Sequence, residues 1–292
     1  MGRVRAACLR CLQTLGRHVS YGEHTYDREW DVLVVLDGCR PDAVEAIASG
    51  VPFVEDVDRI RSVGSCSSEW LENTFGPPER ADAVARTAMV TGNTWTDRYV
   101  DGDAFAVLDE VWKYAWDDDL DTVPAGAVTD RAVDIAGRRD PGRLVVHYMQ
   151  PHHPFVPDPI DEDEGMARTS SYSRGTSPWV LLRRDDVSLG RVWTAYLANL
   201  EYVLESVGTL LENVEGRVVI TADHGNLFGE WGLYGHPIHT PVPALLSVPW
   251  IETTAHDRGT YSSTLSPPEP LPVSRVRDAA GDEERLEALG YL

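Results

Sequence analysis

An apolar run near residue 220 ends abruptly in polar side chains, and this limits the folds open to the chain. Residues 218–222 read Val-Val-Ile-Thr-Ala, and Asp223, His224 and Gly225 follow directly. Apolar and β-branched residues without alternation are typical of a strand buried on both faces. In open α/β sheets, ligands bind beyond the carboxyl ends of such strands. The Asp-His pair is therefore either a capping acid beside an incidental histidine or a pair of metal ligands.

The same arrangement recurs along the chain and predicts its fold class. Residues 31–36 form another apolar run that ends at Asp37, and Pro41 suits the first turn of a helix. Alternating strands and helices indicate a three-layer α/β/α architecture around a mostly parallel sheet. The other predicted strands lie at residues 60–63, 87–91, 104–107, 143–148 and 243–248, and the main helices at 42–48, 129–138 and 187–213.

A serine-rich loop precedes an apolar helical pattern. Residues 64–68 read Gly-Ser-Cys-Ser-Ser, and Glu69, Trp70 and Leu71 follow. Backbone N–H groups and the helix dipole favour an anion at a helix N-terminus, so a hydroxyl there suits a nucleophile. Serine and a first-turn glutamate are also ordinary helix caps. Both readings stay open on this loop alone.

Several predicted strand ends deliver reactive side chains to one edge of the sheet. Carboxylates, imidazoles and a hydroxyl suit a divalent cation that activates an oxygen nucleophile and neutralises an anionic substrate. The sequence therefore predicts an enzyme acting on a sulfate or phosphate ester. The candidates are Asp37, the serines of residues 65–68, His152, Asp223, His224 and His236.

The chain resembles the alkaline phosphatase/sulfatase superfamily, and within it the sulfatase-like branch, over residues 30–292. Four motifs in the family's order carry the resemblance. They are Val-Leu-Asp-Gly-Cys-Arg-Pro-Asp at 35–42, His-Tyr-Met-Gln-Pro-His-His-Pro-Phe at 147–155, Thr-Ala-Asp-His-Gly at 221–225 with Gly-Glu-Trp-Gly-Leu-Tyr-Gly-His at 229–236, and Arg-Leu-Glu-Ala-Leu-Gly-Tyr-Leu at 285–292.

The resemblance implies a metal site and a nucleophile. Asp37, Asp223 and His224 would bind a divalent cation, which is Ca, Mg, Mn or Zn. Ser67 best matches the position where relatives place a serine or threonine, so it would be the nucleophile and would also contact the metal.

The resemblance also implies substrate contacts. His152 would contact the oxyanion or the leaving group, and Arg40 would help to bind the substrate. His236 stands where sulfatases usually carry a lysine that binds sulfate. It would bind the anion, protonate the leaving group or, with His239, ligate a second metal.

At three points the sequence departs from the family pattern, and these departures limit which residue roles of the family can be assigned to this chain. Gly38 replaces the second acid of the usual Asp-Asp pair, and the active-site lysine is missing. Cys66 is followed by Ser67 rather than by the Cys-x-Pro-Ser-Arg continuation that becomes formylglycine, which argues against formylglycine chemistry. The chain is also shorter than most sulfatases, so an alkaline-phosphatase-like fold with a reduced C-terminal subdomain is expected.

The composition limits the binding partners and the cellular location that can be expected for this chain. Asp+Glu number 47 against 26 Lys+Arg, for a net charge of -21, and Lys113 is the only lysine. An acidic, lysine-poor surface resembles proteins of extreme halophiles, which indicates a haloarchaeal type, and it argues against nucleic-acid binding. No apolar run approaches the roughly 18 residues of a membrane span, so we expect no integral membrane segment and a cytoplasmic protein. Cys8 and Cys11 have metal-knuckle spacing without a matching second pair, which favours free thiols.

The predicted organisation is a helical arm at residues 1–29 and a sulfatase-like domain at 30–292. Within that domain, residues 156–185 are expected to form a lid loop and residues 252–292 a C-terminal extension. The first functional hypothesis is a metal-dependent sulfate ester hydrolase with a serine nucleophile, acting on a small-molecule or glycan ester. The alternatives are a phosphatase, phosphodiesterase or phosphoryl-group transferase with the same site, and a catalytically degenerate binding protein. The sequence leaves the oligomeric state open.

Overall fold

The computed structural model describes residues 13–14, 16–17, 21–139, 141–166, 176–268 and 271. The strands are β1 (Val32–Leu36), β2 (Asp58–Arg61), β3 (Thr87–Thr91), β4 (Val107–Glu110), β5 (Arg143–Tyr148), β6 (Gly216–Thr221), β7 (Leu227–Phe228), β8 (Tyr234–Gly235) and β9 (Ser247–Ala255). The α-helices are α1 (Pro41–Ile47), α2 (Ser67–Phe75), α3 (Ala81–Val84), α4 (Thr96–Tyr99), α5 (Ala125–Arg139), α6 (Pro178–Arg184), α7 (Leu189–Leu211) and α8 (Pro243–Leu246).

A seven-stranded, mostly parallel sheet forms the centre of the fold, as predicted. Its strands lie in the order β2, β9, β6, β1, β5, β3, β4. Strands β6, β1, β5, β3 and β4 are parallel, and β9 is antiparallel to both β6 and β2. The five residues of β1 and of β3 are all buried, which agrees with strands covered on both faces.

Neighbouring residues of β5 show that helices cover both faces of the sheet. The hydroxyl of Tyr148 lies 2.7 Å from Thr129 Oγ1 of α5. The ring of His147 packs edge-on against Trp70 of α2, with centroids 5.5 Å apart. Because successive residues of a strand point to opposite faces, α5 and α2 lie on opposite sides of the sheet. The three-layer α/β/α prediction is confirmed.

The strand register brings the predicted reactive residues together. Val35 of β1 is level with His147 of β5 and with Thr221 of β6. Asp37 leaves β1 two residues after Val35, and Asp223 leaves β6 two residues after Thr221. Both carboxylates therefore emerge at the same edge, beyond the carboxyl ends of adjacent parallel strands.

Three predicted strands were placed wrongly. The strand expected at 60–63 spans Asp58–Arg61. The strand expected at 104–107 begins only at Val107, because residues Gly102–Ala104 form a 3-10 turn that Asp101 caps by accepting from Asp103 N at 3.1 Å. The strand expected at 243–248 is instead helix α8, which Pro243 opens at its first position, followed by β9. The predicted helix at 129–138 begins earlier, at Ala125.

Part of the predicted arm docks on the domain. Gln13 Nε2 donates to Ile238 O at 3.2 Å and lies 3.4 Å from Thr240 Oγ1. Cys8 and Cys11 of the arm, residues 167–175 of the predicted lid and residues 272–292 of the predicted C-terminal extension lie outside the described residues. In the described part of the chain, no helix has both the length and the apolar character that crossing a membrane requires.

The segment that follows β9 is held against α5 by one buried carboxylate. Asp130 accepts hydrogen bonds from Tyr261 Oη at 3.0 Å, Thr264 N at 2.8 Å and Leu265 N at 2.9 Å. The next residue, Arg131, donates to Leu265 O at 2.8 Å. These contacts fix residues 261–265 on the helix, and Leu265 also packs against the hydrophobic core.

Asp130→Ala should lower the free energy of unfolding by about 2–3 kcal/mol, because several donors lose a charged acceptor at once. Chemical denaturation followed by circular dichroism measures the difference. Glu55→Ala, at an exposed loop position, is the control and should change stability by less than about 0.5 kcal/mol. Equal stability of the two variants would contradict the role given to Asp130.

Candidate active site

Two carboxylates and an imidazole converge at the carboxyl edge of β1 and β6. One ligand atom each from Asp37, Asp223 and His224 lies within 4.8 Å of the others, and all three residues are buried. His224 Nε2 lies 3.6 Å from Asp37 Oδ1 and 3.4 Å from Asp223 Oδ2. We call these three residues the acidic cluster.

Backbone groups orient the acidic cluster. Asp223 Oδ1 accepts from Gly38 N at 2.9 Å and from His224 N at 2.8 Å. His224 Nδ1 lies 2.7 Å from Gly225 O. Because a carbonyl oxygen can only accept, Nδ1 carries the proton, and the lone pair of Nε2 faces the two carboxylates. This is the tautomer that a metal-ligating histidine requires.

The acidic cluster has unused ligand atoms. Among the described residues, Asp37 Oδ1 and Asp223 Oδ2 are buried and have no hydrogen-bond partner. Burial and the charge of Asp223 raise the pKa of Asp37 well above its usual range. Burial also opposes ionisation of Asp223, but His224, His147 and the N–H of Gly38 outweigh it and hold its pKa below its ordinary value. Two hard oxygens and one imidazole nitrogen left free in a buried site fit a divalent cation.

The structure adds two residues that the sequence did not single out. Asn93 Nδ2 donates to Asp37 Oδ2 at 2.8 Å. His147 Nε2 lies 3.8 Å from Asp223 Oδ2 and 3.9 Å from Asp37 Oδ2, and burial lowers its pKa to about 4. Asn93 follows a buried strand, as the predicted residues do, so the same strand-end rule could have found it. His147 lies inside an apolar run, which gives no such signal.

Of the clustered serines, Ser67 lies nearest to the acidic cluster's functional atoms. It is the first residue of α2, and its Oγ lies 3.2 Å from Asp37 Oδ2 and 3.3 Å from His224 Nε2. Ser68 Oγ instead lies 3.2 Å from the Cys66 thiol. Burial raises the pKa of that thiol to about 12, so it stays protonated.

Glu69 fastens the serine loop to a distant part of the chain. Glu69 Oε2 accepts from both the N–H and the hydroxyl of Ser65 at 2.7 Å. Glu69 Oε1 accepts from His239 N at 2.8 Å and also contacts the His239 ring. The structure therefore places His239 against Glu69 and not in the acidic cluster.

His152 and His236 form a pair beside the acidic cluster. Their Nε2 atoms are 3.0 Å apart, and the His236 ring lies over that of His224 with centroids 4.6 Å apart. His152 Nδ1 donates to His153 O at 2.6 Å, so His236 Nε2 supplies the proton between the two rings. Burial lowers the pKa of His236 to about 3, and burial with the neighbouring histidines lowers that of His152. The pair is neutral at pH 7.

The Arg40 guanidinium binds groups outside the acidic cluster. Its guanidinium donates to both oxygens of Asp42, at 2.8 and 2.7 Å, and to Asn226 O at 3.0 Å, and it also pairs with Glu230. These bonds brace the loop after β6 against the start of α1. Arg40 is not among the residues that line the cavity containing Ser67.

Gly38, the departure from the family's acidic pair, has a structural explanation. Its φ of +66° lies in the left-handed region, which strains most side chains. A Cβ at this position would lie 3.0 Å from Asn226 Nδ2. The glycine N–H is used to orient Asp223, so this position supports the acidic cluster through its backbone.

Asp37, Ser67, His152 and His236 open into one cavity of about 550 Å³. That volume falls in the range of small-molecule sites. A buried nucleophile candidate, a candidate cation site and a neutral histidine pair thus share one ligand-sized space. The arrangement is suited to group transfer from an anionic ester.

Comparison with known proteins agrees with this class of enzyme. The family model described as Sulfatase matches residues 62–266, more than two thirds of the chain, and begins after Asp37. The chain belongs to the Sulfatase family, and so to enzymes that act on anionic esters as hydrolases or transferases. A search of curated proteins returned no match.

Solved structures share the fold. The soluble domain of lipooligosaccharide phosphoethanolamine transferase A from Neisseria meningitidis superposes with a TM-score of 0.54 at 14% identity, over 77% of this chain and 75% of that chain. The integral membrane form of that transferase matches with a TM-score of 0.53 at 13% identity, over 86% of this chain and 54% of that chain. At these identities the likeness establishes the fold.

A divalent cation bound by the acidic cluster should stabilise the protein, by about 2.7 kcal/mol at a hundredfold excess over Kd. Asp223→Asn keeps an acceptor for Gly38 N but removes one charge, so the affinity should fall about tenfold or more. Calorimetry and thermal unfolding with Ca²⁺, Mg²⁺, Mn²⁺ and Zn²⁺ in turn measure both quantities.

The matched control is Asp109→Asn. Asp109 is an equally buried carboxylate, but it pairs with Arg131 at 2.8 Å and belongs to another part of the core. This variant should be less stable overall yet keep the full response to the cation. If Asp223→Asn and the parent protein respond alike, the acidic cluster is not the metal site.

Proposed function

We propose that the protein is a metal-dependent hydrolase of sulfate esters with Ser67 as its nucleophile. One observation carries this proposal: the Ser67 hydroxyl lies at the start of α2, within 3.3 Å of both Asp37 and His224, in the ligand-sized cavity. Membership of the Sulfatase family supports an ester of sulfate as the substrate.

Asp37, Asp223 and His224 would hold the cation. When bound, a divalent ion supplies positive charge beside the serine oxygen and the anionic ester. The protein contributes the fixed geometry, since Gly38 N, Asn93 and Gly225 O orient these three residues before any ligand arrives.

The helix and Asp37 prepare the serine for attack. Ser67 donates its hydroxyl proton toward Asp37 Oδ2, so the oxygen lone pairs are free to face the ester. The first N–H groups of α2 have no partner within the helix and favour an anion there. Ser67 would attack the sulfur and pass its proton to Asp37, and the bond from sulfur to the alcohol oxygen would break on the opposite side. Water would then attack the serine sulfate, release sulfate and return the proton to Ser67.

The histidine pair would serve the leaving oxygen. His152 and His236 share one proton between their Nε2 atoms and are neutral before substrate binds. An anionic ester beside them favours uptake of a second proton. The pair would then donate that proton to the departing alcohol.

A second candidate is phosphoryl chemistry at the same site, either hydrolysis of phosphate monoesters or diesters or transfer to another alcohol. The observation that favours it is the nucleophile itself, which is a serine hydroxyl while Cys66 is held against Ser68. Within the superfamily that the chain resembles, a serine or threonine nucleophile is typical of phosphoryl transfer.

Ser67→Ala should lower kcat by roughly 10³-fold or more, because no other group can form the covalent intermediate. The assay uses aryl sulfate, aryl phosphate and aryl phosphodiester in turn, with added divalent cation. Molar KCl is included because we propose from the acidic composition that the protein is halophilic.

Ser68→Ala is the comparison variant, and it should keep activity within about threefold of the parent, since its hydroxyl bonds to Cys66. Unchanged activity in Ser67→Ala would contradict the assignment of the nucleophile. A loss confined to Ser68→Ala would move the nucleophile to Ser68. The absence of turnover on all three esters, together with no bound metal, would overturn both candidate functions.

A further inference from the structure

The side-chain amide of Asn226 is buried next to the acidic cluster and has no hydrogen-bond partner. Asn226 is fully buried, and among the described residues neither its Oδ1 nor its Nδ2 has a partner. Burying an amide in this way costs free energy, and binding an ion is one way in which that cost is offset. The Asn226 amide is therefore a candidate ligand.

The amide lies beside Gly38, at the edge of the acidic cluster. A Cβ at residue 38 would lie 3.0 Å from Asn226 Nδ2 and 3.5 Å from His224 Cε1. That carbon is bonded to His224 Nε2, which lies 3.6 Å from Asp37 Oδ1. The space next to Gly38 is thus bordered by the Asn226 amide on one side and by the imidazole of the cluster on the other.

The main chain around Asn226 is fixed, whereas its amide is not. Arg40 Nη1 donates to Asn226 O at 3.0 Å, and Gly225 N donates to Leu245 O at 2.7 Å. Leu227, the next residue, begins β7. Because neither amide atom has a partner, the amide can turn by 180° without losing a hydrogen bond. Its oxygen can therefore be presented to the cluster from a rigid backbone.

The position of Asn226 favours contact with a cation over contact with the ester. Among the described residues, those that line the cavity include Asp37 and Ser67. They include neither Asn226 nor the other two residues of the acidic cluster. An amide oxygen is a ligand that Ca²⁺, Mg²⁺ and Mn²⁺ accept, and Ca²⁺ and Mg²⁺ take about six or more ligands. Three residues do not complete such a shell when each supplies one atom.

We propose that the side-chain oxygen of Asn226 is a further ligand of the divalent cation at the acidic cluster. The inference rests on the proposed function for the presence of that cation. Gly38 has no side chain that could supply a ligand, and Asn226 supplies one from the opposite side of the same space. A neutral amide adds an oxygen without adding a third negative charge to two buried carboxylates.

Asn226→Ala should lower the affinity for the cation about tenfold or more, because one ligand is lost. Calorimetry on the full chain with Ca²⁺, Mg²⁺, Mn²⁺ and Zn²⁺ in turn measures the affinity. Asn226→Asp is the second variant and should bind the cation about tenfold more tightly than the parent, because a carboxylate replaces the amide. It serves alone if Asn226→Ala does not fold, and an affinity at or below that of the parent would then count against the inference.

The matched control is Asn213→Ala. Asn213 is also buried, but its amide donates to Thr209 O at 2.8 Å and accepts from Tyr261 N at 2.8 Å. This variant should be less stable than the parent, since it loses both hydrogen bonds. It should nevertheless bind the cation with the affinity of the parent.

The absorption spectrum of bound Co²⁺ separates a ligand from a residue that only packs nearby. The spectrum depends on the atoms that are bound to the ion and on their geometry. At saturating Co²⁺, Asn226→Ala should shift the absorption bands relative to the parent, and Asn213→Ala should leave them in place. A lower affinity with an unchanged spectrum would show that Asn226 is not a ligand.

None of these measurements depends on turnover, so the inference and the proposed function can fail separately. Equal affinities of the parent and Asn226→Ala, or no cation bound by the parent, would overturn the inference. Cation-dependent turnover with an affinity that is independent of Asn226 would leave the proposed function standing alone. Binding that depends on Asn226, in a protein that turns over none of the esters, would leave only the ligand assignment.

Discussion

Two buried carboxylates at neighbouring strand ends govern this structure. Asp37 and Asp223 leave the adjacent strands β1 and β6 at one level, and both are almost fully buried. Like charges brought together out of water are costly unless hydrogen bonds and opposite charge compensate them. The surroundings supply part of that compensation through hydrogen bonds from Gly38 N and Asn93. The negative charge of the two carboxylates is left without a full counter-charge, which is why the acidic cluster suits a divalent cation.

The sheet and the convergence of its strand ends could be predicted from the sequence. Both follow from short apolar runs that end in polar residues. The bounds of β3 and β5 were predicted to the residue, and Asp37 and Asp223 follow buried runs whose parallel pairing brings them together. Asn93 obeys the same rule, since it follows the end of β3. His147 could not be found in this way, since its proximity to the acids depends on which face of β5 it occupies.

Other features depend on contacts between distant residues, and local pattern does not contain them. The orientation of the serine loop depends on Glu69, whose carboxylate reaches His239, 170 positions along the chain. Glu230 and Asp42 together determine where the Arg40 guanidinium lies. The strand predicted at 243–248 was wrong for a local reason, because the apolar residues of this segment suit a buried strand and a short buried helix equally well. The proline at its start, which opens α8, was the signal that favoured the helix.

The sheet order has a consequence for how the protein folds. The acidic cluster and its neighbours come from β1, β3, β5 and β6, which lie side by side in the sheet but are far apart along the chain. No fragment of the chain contains a complete site, and every pairing that builds it closes a long loop. A cation held by Asp37 and Asp223 therefore joins the earliest and the latest strands of the parallel set into one cooperative unit. Release of such an ion and opening of the central sheet would be linked events, because the unfolded chain does not hold its ligands together.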